Sequence, residues 1–356
     1  MTKLACTRTK SRSAEIVKQK AYATCAIGKW HLGHYPEFLP TRQGFDHYFG
    51  IPYSNDMGTK PERPDYPPLP LIRGETTIET EPDQSQLTRR YTEEAIKFIR
   101  EHREQPFFVY LPHTMIHFPL AASADFKDKS QMGLIGDTIE EIDWSVGQIM
   151  QTLKSEKLDE QTLVIFTSDN GPARRTAANL RGNKGTTFEG GVREPCMMRW
   201  PNKIPQGTVC NEIVGNIDML PTLAKLVGAQ PPTDRVIDGR DISSLMFDPK
   251  SGPVRDTHLY FNGGGQLQAI RSGPWKLFLT MPADAAQKAK AKANTEKKGK
   301  AAAIIGLFNV VEDAAETKNM AAEHPDIVTR LKALAAEREA EIKKNQRPAG
   351  EHVVSK

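Results

Sequence analysis

The sequence predicts an α/β fold with a large mixed, mostly parallel sheet flanked by helices. A smaller C-terminal α+β subdomain, with an antiparallel sheet and a long helix, is predicted to follow. Three observations predict this fold. Short apolar runs alternate with amphipathic helical patterns, as in βαβ units. Several runs end abruptly in polar residues, as strands of open α/β sheets do at their carboxyl ends. Beyond residue 258 the runs are short and separated by glycine, which favours hairpins.

The elements of the first unit follow from hydrophobic period and from proline and glycine signals. Apolar residues recur at helical spacing from Leu87 to Ile99, and Pro106 introduces the next apolar run. A second stripe, from Ile135 to Leu153, has steps of four and three, and we expect it to be core. The predicted order is a strand at 24–27, a long surface loop at 50–86, a helix at 85–103, a strand at 107–111, a helix at 135–153, strands at 163–167 and 195–200, and a helix at 216–227.

The alternating pattern changes near residue 246. We therefore divide the chain into a first unit of residues 1–245 and a C-terminal subdomain of residues 246–356. The subdomain has short strand candidates from His258 onward and a last helix that Pro325 opens. A lysine- and alanine-rich insert at 284–302 is predicted to be a solvated loop.

Composition excludes several classes of protein. The chain has 48 basic and 44 acidic residues, and six of the lysines lie in the insert, so the remainder has no basic excess that would indicate a nucleic-acid partner. No stretch is long and apolar enough to span a membrane, and residues 1–20 lack the apolar core of a signal peptide. The four cysteines have no metal-ligand spacing.

Three predicted strands end in polar side chains that could form one site. Because parallel strands bring their carboxyl ends to one edge of a sheet, these groups should converge. A fourth group, Lys184, follows in a loop whose flanking glycines allow unusual backbone paths. The groups at the strand ends are Lys29 and His31, then His113 and His117, then Asp169 and Asn170.

This set of groups suits the transfer of a tetrahedral oxyanion. The equatorial oxygens of such a group need cations, and the leaving alkoxide needs a proton from a group that titrates near neutrality. Asp169 and Asn170 carry the hard oxygens that calcium prefers. Sulfate and phosphate esters are therefore the predicted substrate classes.

Five motifs resemble signatures of the type I sulfatases of the alkaline-phosphatase-like fold, and among them the arylsulfatase A-like enzymes. The tail similarly resembles their C-terminal subdomain, through QAIRSGPWKL and LFNVVEDAAETKNMA. The resemblance extends over about residues 21–334. The five motifs are GKWHLG at 28–33, TRQGFDHYFG at 41–50, EEIDWSVGQIM at 140–150, TSDNGP at 167–172 and NKGTTFEGGVREP at 183–195.

The resemblance implies a sulfuric ester hydrolase that uses calcium and a formylglycine made from a Cys or Ser within C-x-P-S-R. It implies that Lys29 and Lys184 bind the sulfate and that His31 stabilises the formylglycine hydrate. It further implies that His117 assists departure of the ester oxygen, and that Asp169 and Asn170 bind calcium. Arg193 is expected to anchor its loop.

The sequence departs from the family pattern before residue 21. The strand with paired aspartates and the C-x-P-S-R motif are absent from it, and the nearest imitation, at Cys6, lacks the proline. We expect a truncated catalytic unit with an incomplete calcium ligand set and no sulfatase turnover as written. A full-length form would need a formylglycine-generating or sulfatase-maturing enzyme and is expected in the periplasm or outside the cell.

Two alternatives stay open at this stage. The same scaffold supports phosphodiesterases and phosphonate monoester hydrolases, although GKWHLG with NKGTTFEGG favours sulfate. A non-catalytic binder of sulfated ligands could also retain the lysines and histidines. If the chain is a sulfatase or a binder of sulfated ligands, its expected partner is a sulfated small molecule or a sulfated carbohydrate.

Overall fold

The computed structural model describes residues 4–5, 13–59, 64–173, 179–282, 305–347 and 350–351. Cys6 and the insert at 284–302 lie outside these ranges, so the predictions made for them are not tested. Near the two ends of the chain, the short strand β1 (Leu4–Ala5) pairs antiparallel with β13 (Gly350–Glu351).

A five-stranded mixed sheet forms the centre of the first unit, as predicted. Strand β2 lies between β3 and β6 and is parallel to both, whereas β3, β4 and β5 are antiparallel neighbours. The spatial order is β5-β4-β3-β2-β6. The strands are β2 (Ala23–Ile27), β3 (His47–Gly50), β4 (Pro70–Arg73), β5 (Thr76–Thr80) and β6 (Phe107–Tyr110).

The helix α2 (Leu87–Glu101) covers one face of this sheet and confirms the predicted period. Its apolar residues form one core cluster with residues of β2, β3 and β4. Leu87 and Tyr91 are fully buried in that cluster. Burying an apolar side chain of this size stabilises a fold by roughly 1.5–3 kcal/mol, so this layer is a major source of stability. A short helix, α1 (Ser13–Lys18), was not predicted.

The prediction of a continuous surface loop at 50–86 is wrong. The segment contains the hairpin β4–β5, which extends the sheet on the β3 side. The prolines that suggested a loop lie mainly before the hairpin, and Pro70 stands at the first position of β4, where a strand tolerates it.

The third predicted strand end belongs to a different sheet. Strand β7 (Val164–Thr167) pairs antiparallel with β8 (Cys196–Arg199), and within the described residues it does not join β6. The expectation that 163–167 extends the parallel sheet is therefore corrected. The hydrogen-bonding edge of β7 is occupied by β8, which returns after the short helix α4 (Glu189–Val192).

The helix α3 (Leu134–Ser155) confirms the predicted helix, but its apolar stripe is not fully buried. Ile139 is 49 % exposed, whereas Ser145 is buried and hydrogen-bonds Thr92 Oγ1 at 2.6 Å. The helix thus contacts α2 through a polar residue. The expectation that the whole stripe is core is corrected because burial depends on which neighbours the fold supplies.

The C-terminal part confirms the predicted antiparallel sheet and long helix. Four antiparallel strands run in the order β12-β11-β10-β9, and the helix α7 (Pro325–Asn345) packs on them through Leu331 and Ala335. The predicted boundary at 245/246 stays a prediction. The remaining elements are α5 (Met219–Val227), α6 (Ser243–Phe247), β9 (His258–Phe261), β10 (Leu267–Ser272), β11 (Trp275–Phe278) and β12 (Gly306–Asn309).

Candidate functional site

The end of β2 is fixed by backbone hydrogen bonds on both sides. The Gly28 N–H donates to the Phe49 carbonyl, and the Lys29 N–H donates to the Pro112 carbonyl, both at 2.8 Å. Gly28 has φ +125°, and a Cβ atom there would lie 2.0 Å from the Pro112 oxygen. Only glycine fits such a conformation and such a close approach. The backbone that carries Lys29 is therefore rigidly placed.

The residues after β2 alternate between the core and the site. The Trp30 ring is buried, and its Nε1–H donates to the Phe38 carbonyl at 2.9 Å while its edge meets Phe45. His31 adopts a left-handed backbone conformation with φ +52°. Such conformations in residues other than glycine are uncommon and gather at functional sites. Trp30 thus anchors the segment from which Lys29 and His31 project.

His117 is oriented by acceptors around its Nδ1 atom. This nitrogen lies 2.7 Å from the Phe118 carbonyl and 3.1 Å from Asn55 Oδ1. The buried Asn55 is itself held, since its Nδ2 donates to the Pro119 carbonyl at 3.1 Å. Because both neighbours of Nδ1 accept hydrogen bonds, Nδ1 carries a proton. The Nε2 atom remains for a ligand.

His113 has a different environment from His117. Burial lowers the pKa of His113 to about 4. Its Nδ1 is buried and has no hydrogen-bond partner among the described residues, and its Nε2 lies 3.4 Å from Ser145 Oγ. The centre of its ring also lies 6.4 Å from that of Tyr91 in α2, so His113 sits between α2 and α3 as a neutral interior residue.

Asp169 and Asn170 directly follow β7, as the sequence predicts. The turn that carries them is closed by Ser168, whose Oγ donates to the Asn170 carbonyl at 3.1 Å. Asn216 braces the same turn, since its Nδ2 donates to the Ser168 carbonyl at 3.1 Å. The turn therefore presents a carboxylate and an amide next to each other.

Lys184 is tied to this turn through the backbone. Its N–H donates to the Pro172 carbonyl at 3.0 Å, and the Gly171 N–H donates to the Gly191 carbonyl at 3.2 Å. The loop is also closed on itself, because the Thr186 N–H donates to the Asn183 carbonyl at 3.0 Å. The glycine-rich loop and the end of β7 thus form one connected unit.

Electrostatic interactions show that these groups lie near one another. Burial lowers the pKa of His31, and the positive charges of Lys29, His117 and Lys184 lower it further. Burial also lowers the pKa of Lys29, which Asp169 opposes and Lys184 reinforces. A histidine whose pKa is lowered from 6.5 is neutral at pH 7, and it can accept a proton there. The structure therefore brings Lys29, His31, His117, Lys184 and Asp169 together.

Sequence reasoning missed three polar residues of the site. Asn55 orients His117, and Asp56 attracts the charges of Lys29 and His31. Burial and the nearby Asp169 raise the pKa of Glu194 to about 7, and its Oε1 is buried without a hydrogen-bond partner among the described residues. Asn55 and Asp56 lie in the segment interpreted as a surface loop, and for that reason they were not predicted as site residues. Glu194 is the last acidic residue of the motif at 183–195, and a carboxylate at that position was the available signal.

The donors present do not complete a calcium site. Asp169 and Asn170 offer hard oxygens, but Ca²⁺ takes roughly six to eight oxygen ligands. Within residues 13–59, 64–173, 179–282 and 305–347, no group of three or more His, Cys, Asp or Glu side chains could hold a metal ion. Cys25 is buried, and Cys196 and Cys210 are exposed free thiols.

The fold thus brings basic side chains from the end of β2 and from the loop beyond β7 close to one another. Residues 9–229 match the family model described as Sulfatase, and residues 254–354 match the one described as C-terminal region of aryl-sulfatase. The chain belongs to the sulfatase family. In the described part of the chain no helix has the length and apolarity to cross a membrane.

Two curated relatives and one solved structure define the likeness. The chain is 37 % identical over 278 residues to N-acetylgalactosamine-6-sulfatase of Canis lupus familiaris. The aligned region covers 74 % of this chain and 53 % of that protein. It is 36 % identical over 290 residues to human arylsulfatase A, covering 74 % and 57 %. The chain thus spans about half the length of these relatives.

The solved structure comes from work on the metabolism of multiple glycosaminoglycans by Bacteroides thetaiotaomicron. It matches with a TM-score of 0.77 and 26 % identity, over 95 % of this chain and 83 % of that one. The predicted alkaline-phosphatase-like fold is confirmed by this likeness.

Proposed function

We propose that the chain carries the sulfate-binding part of the active site of a sulfuric ester hydrolase. The observation that supports this most is electrostatic. The charges of Lys29, His117 and Lys184 all lower the pKa of His31. Four basic side chains from three separate segments therefore lie close enough to interact electrostatically. Such a group of side chains suits an anion with several oxygens.

The two lysines would bind the non-bridging oxygens of the sulfate. Lys184 comes from the loop tied to the end of β7, and Lys29 comes from the rigid end of β2. Hydrogen bonds between ammonium groups and anionic oxygens are about twice as strong as neutral ones. The lysines would thus hold the ester and draw charge away from its sulfur atom.

His117 would donate a proton to the leaving oxygen. Because its Nδ1–H is used by Asn55 and Phe118, the protonated ring would donate from Nε2. As the attacking oxygen forms a bond to sulfur, the S–O ester bond breaks, the alcohol leaves with that proton, and His117 becomes neutral. His31 is neutral at pH 7 and would accept a proton from the attacking group. The described residues do not complete a calcium site, so Lewis-acid polarisation and the nucleophile would have to be supplied from outside them.

A sulfated carbohydrate is the proposed substrate class. The name of the N-acetylgalactosamine-6-sulfatase relative and the glycosaminoglycan context of the solved structure support it. An enzyme that installs formylglycine is the protein partner that full activity would require, and an exported location is proposed with it.

Binding tests this proposal without requiring turnover. Calorimetry with N-acetylgalactosamine 6-sulfate should give saturable binding, and the desulfated sugar should bind at least about tenfold more weakly. Lys29→Ala and Lys184→Ala should each weaken sulfate binding by roughly 10- to 100-fold. Lys332→Ala, on the exposed side of α7, is the matched control and should bind as wild type.

Equal binding of the sulfated and desulfated sugars would contradict the proposal. Tighter binding of phenylphosphonate than of phenyl sulfate would instead favour the phosphonate hydrolase alternative.

A further inference from the structure

A buried ionic cluster joins the C-terminal sheet to the loop that carries Lys184. Lys276 of β11 is 0 % exposed, and its Nζ lies 2.8 Å from Glu189 Oε1 and 3.0 Å from Glu316 Oε1. The same ammonium lies 4.5 Å from the centre of the Tyr260 ring. The cluster thus combines two carboxylates, one cation and an aromatic face away from solvent.

Glu316 holds the loop at both of its ends. Its Oε2 accepts a hydrogen bond from the Glu189 N–H at 2.7 Å, and its backbone carbonyl accepts one from Arg181 Nη1 at 3.0 Å. Lys184 lies between these two attachment points. The Gly190 N–H also donates to the Arg181 carbonyl at 2.7 Å, which closes the loop across its base. The path of the chain through Lys184 is therefore set from the C-terminal sheet.

The composition of the cluster indicates that it positions the loop that carries Lys184 and does not only stabilise the fold. Burying each charge costs several kcal/mol, and replacing a buried ion pair with apolar residues of similar volume is often neutral or stabilising. Hydrogen-bonded charges, by contrast, fix distances and directions, which apolar contacts do not. A loop that must place one ammonium on an anion gains from such fixed geometry.

We propose that Lys276, Glu189 and Glu316 are positioning residues that hold Lys184 in the sulfate site. The C-terminal sheet is then part of the sulfate-binding apparatus, although it supplies no group that touches the sulfate. This inference rests on the proposed function, which it deepens.

A double-mutant cycle tests whether Lys276 acts through Lys184. Lys276→Met keeps the side-chain volume and removes the charge, and Glu316→Gln is the milder variant in case Lys276→Met does not fold. Each should weaken binding of N-acetylgalactosamine 6-sulfate by about tenfold, equivalent to about 1.4 kcal/mol. In a Lys184→Ala background the same changes should have little further effect. A merely structural role would instead give additive losses, and additive losses overturn the proposal.

Proteolysis gives a second readout that needs no sulfate. Trypsin should cleave after Lys184 at least about tenfold faster in Lys276→Met than in wild type, because the loop opens locally. Cleavage after Lys97 in the remote helix α2 should stay unchanged and reports on global unfolding. Lys276→Arg should restore protection. Unchanged cleavage after Lys184 in the folded variants overturns the proposal.

The two readouts also separate this proposal from the proposed function. If wild type binds no sulfated sugar, the proposed function fails and the role of the cluster at a sulfate site fails with it. Faster cleavage in that case would show only loop anchoring. If wild type binds but the cycle is additive, the positioning role fails alone.

Discussion

The sheet around β2, with the helix α2, differs sharply in packing from the strands β7 and β8 and the helix α3. In the first region Tyr91 of α2 and the strand residues that it packs against, such as Ile27 and Leu71, are buried. In the second, Phe166 of β7 is 36 % exposed, Met197 of β8 is 60 % exposed and Ile139 of α3 is 49 % exposed. Both regions have apolar sequences, but only one has neighbours that cover it within the described residues.

This difference divides the candidate site. Lys29 and His31 project from the closely packed region, whereas Asp169 and Asn170 stand at the end of β7 in the open region. Preorganised groups bind and stabilise charge more effectively than loosely held ones. The anion-binding groups of β2 are therefore fixed by the core, and Lys184 depends on its own loop and on the ionic cluster.

The largest contrast should appear when glycine is replaced by alanine in each region. Gly28→Ala would place a Cβ atom 2.0 Å from a carbonyl oxygen at φ +125° and should lower the free energy of unfolding by about 3–5 kcal/mol. Gly147→Ala, in α3 with no atom within 4 Å of the new Cβ, should raise it by about 0.5–1 kcal/mol. Urea denaturation measures both changes in the free energy of unfolding. Similar effects of the two substitutions would contradict the difference in packing between the regions.

Apolar truncation should give the next largest difference. Leu87→Ala removes a fully buried side chain from the main core and should cost about 2–5 kcal/mol. Ile139→Ala, at a half-exposed position of α3, should cost less than about 1 kcal/mol. Equal losses in urea denaturation would show that the α3 stripe is buried in solution.

A smaller effect should appear in acid, through His113 at the junction of α2 and α3. Its folded pKa of about 4 lies below the unfolded value of 6.5, so the unfolded chain binds more protons and stability falls as pH decreases below about 6.5. Between pH 7 and pH 5 this residue should contribute a loss of roughly 2 kcal/mol. His113→Gln should remove that part of the pH dependence, measured by urea denaturation at both pH values. An unchanged pH dependence would contradict the assignment.

The sequence predicted the parts of the site that depend on local pattern. Lys29, His31 and Asp169 could be found because apolar runs end near them. The reason given for their convergence was wrong, because β7 pairs with β8 and not with the sheet that contains β2. The hairpin β4–β5 could not be found, because prolines and charges obscured two short strands. The burial of α3 depends on neighbours that the helical period does not specify.

The ionic cluster lies beyond sequence reasoning for a different reason. Lys276 and Glu189 are 87 positions apart, and Glu189 and Glu316 are 127 apart. No local sequence pattern indicates that these charged residues are buried or paired. Only the packing of the C-terminal sheet on the loop brings them together.

The pKa of His31, measured by NMR of its imidazole ring, tests the central claim most directly. In the free protein that pKa should lie below 6.5, because burial and the charges of Lys29, His117 and Lys184 disfavour the protonated ring. Adding N-acetylgalactosamine 6-sulfate should raise it, since a bound anion offsets those charges, and Lys184→Ala should raise it without ligand. A shared sulfate site would be contradicted if the pKa of His31 were at or above 6.5 and changed neither on addition of the sulfated sugar nor in Lys184→Ala.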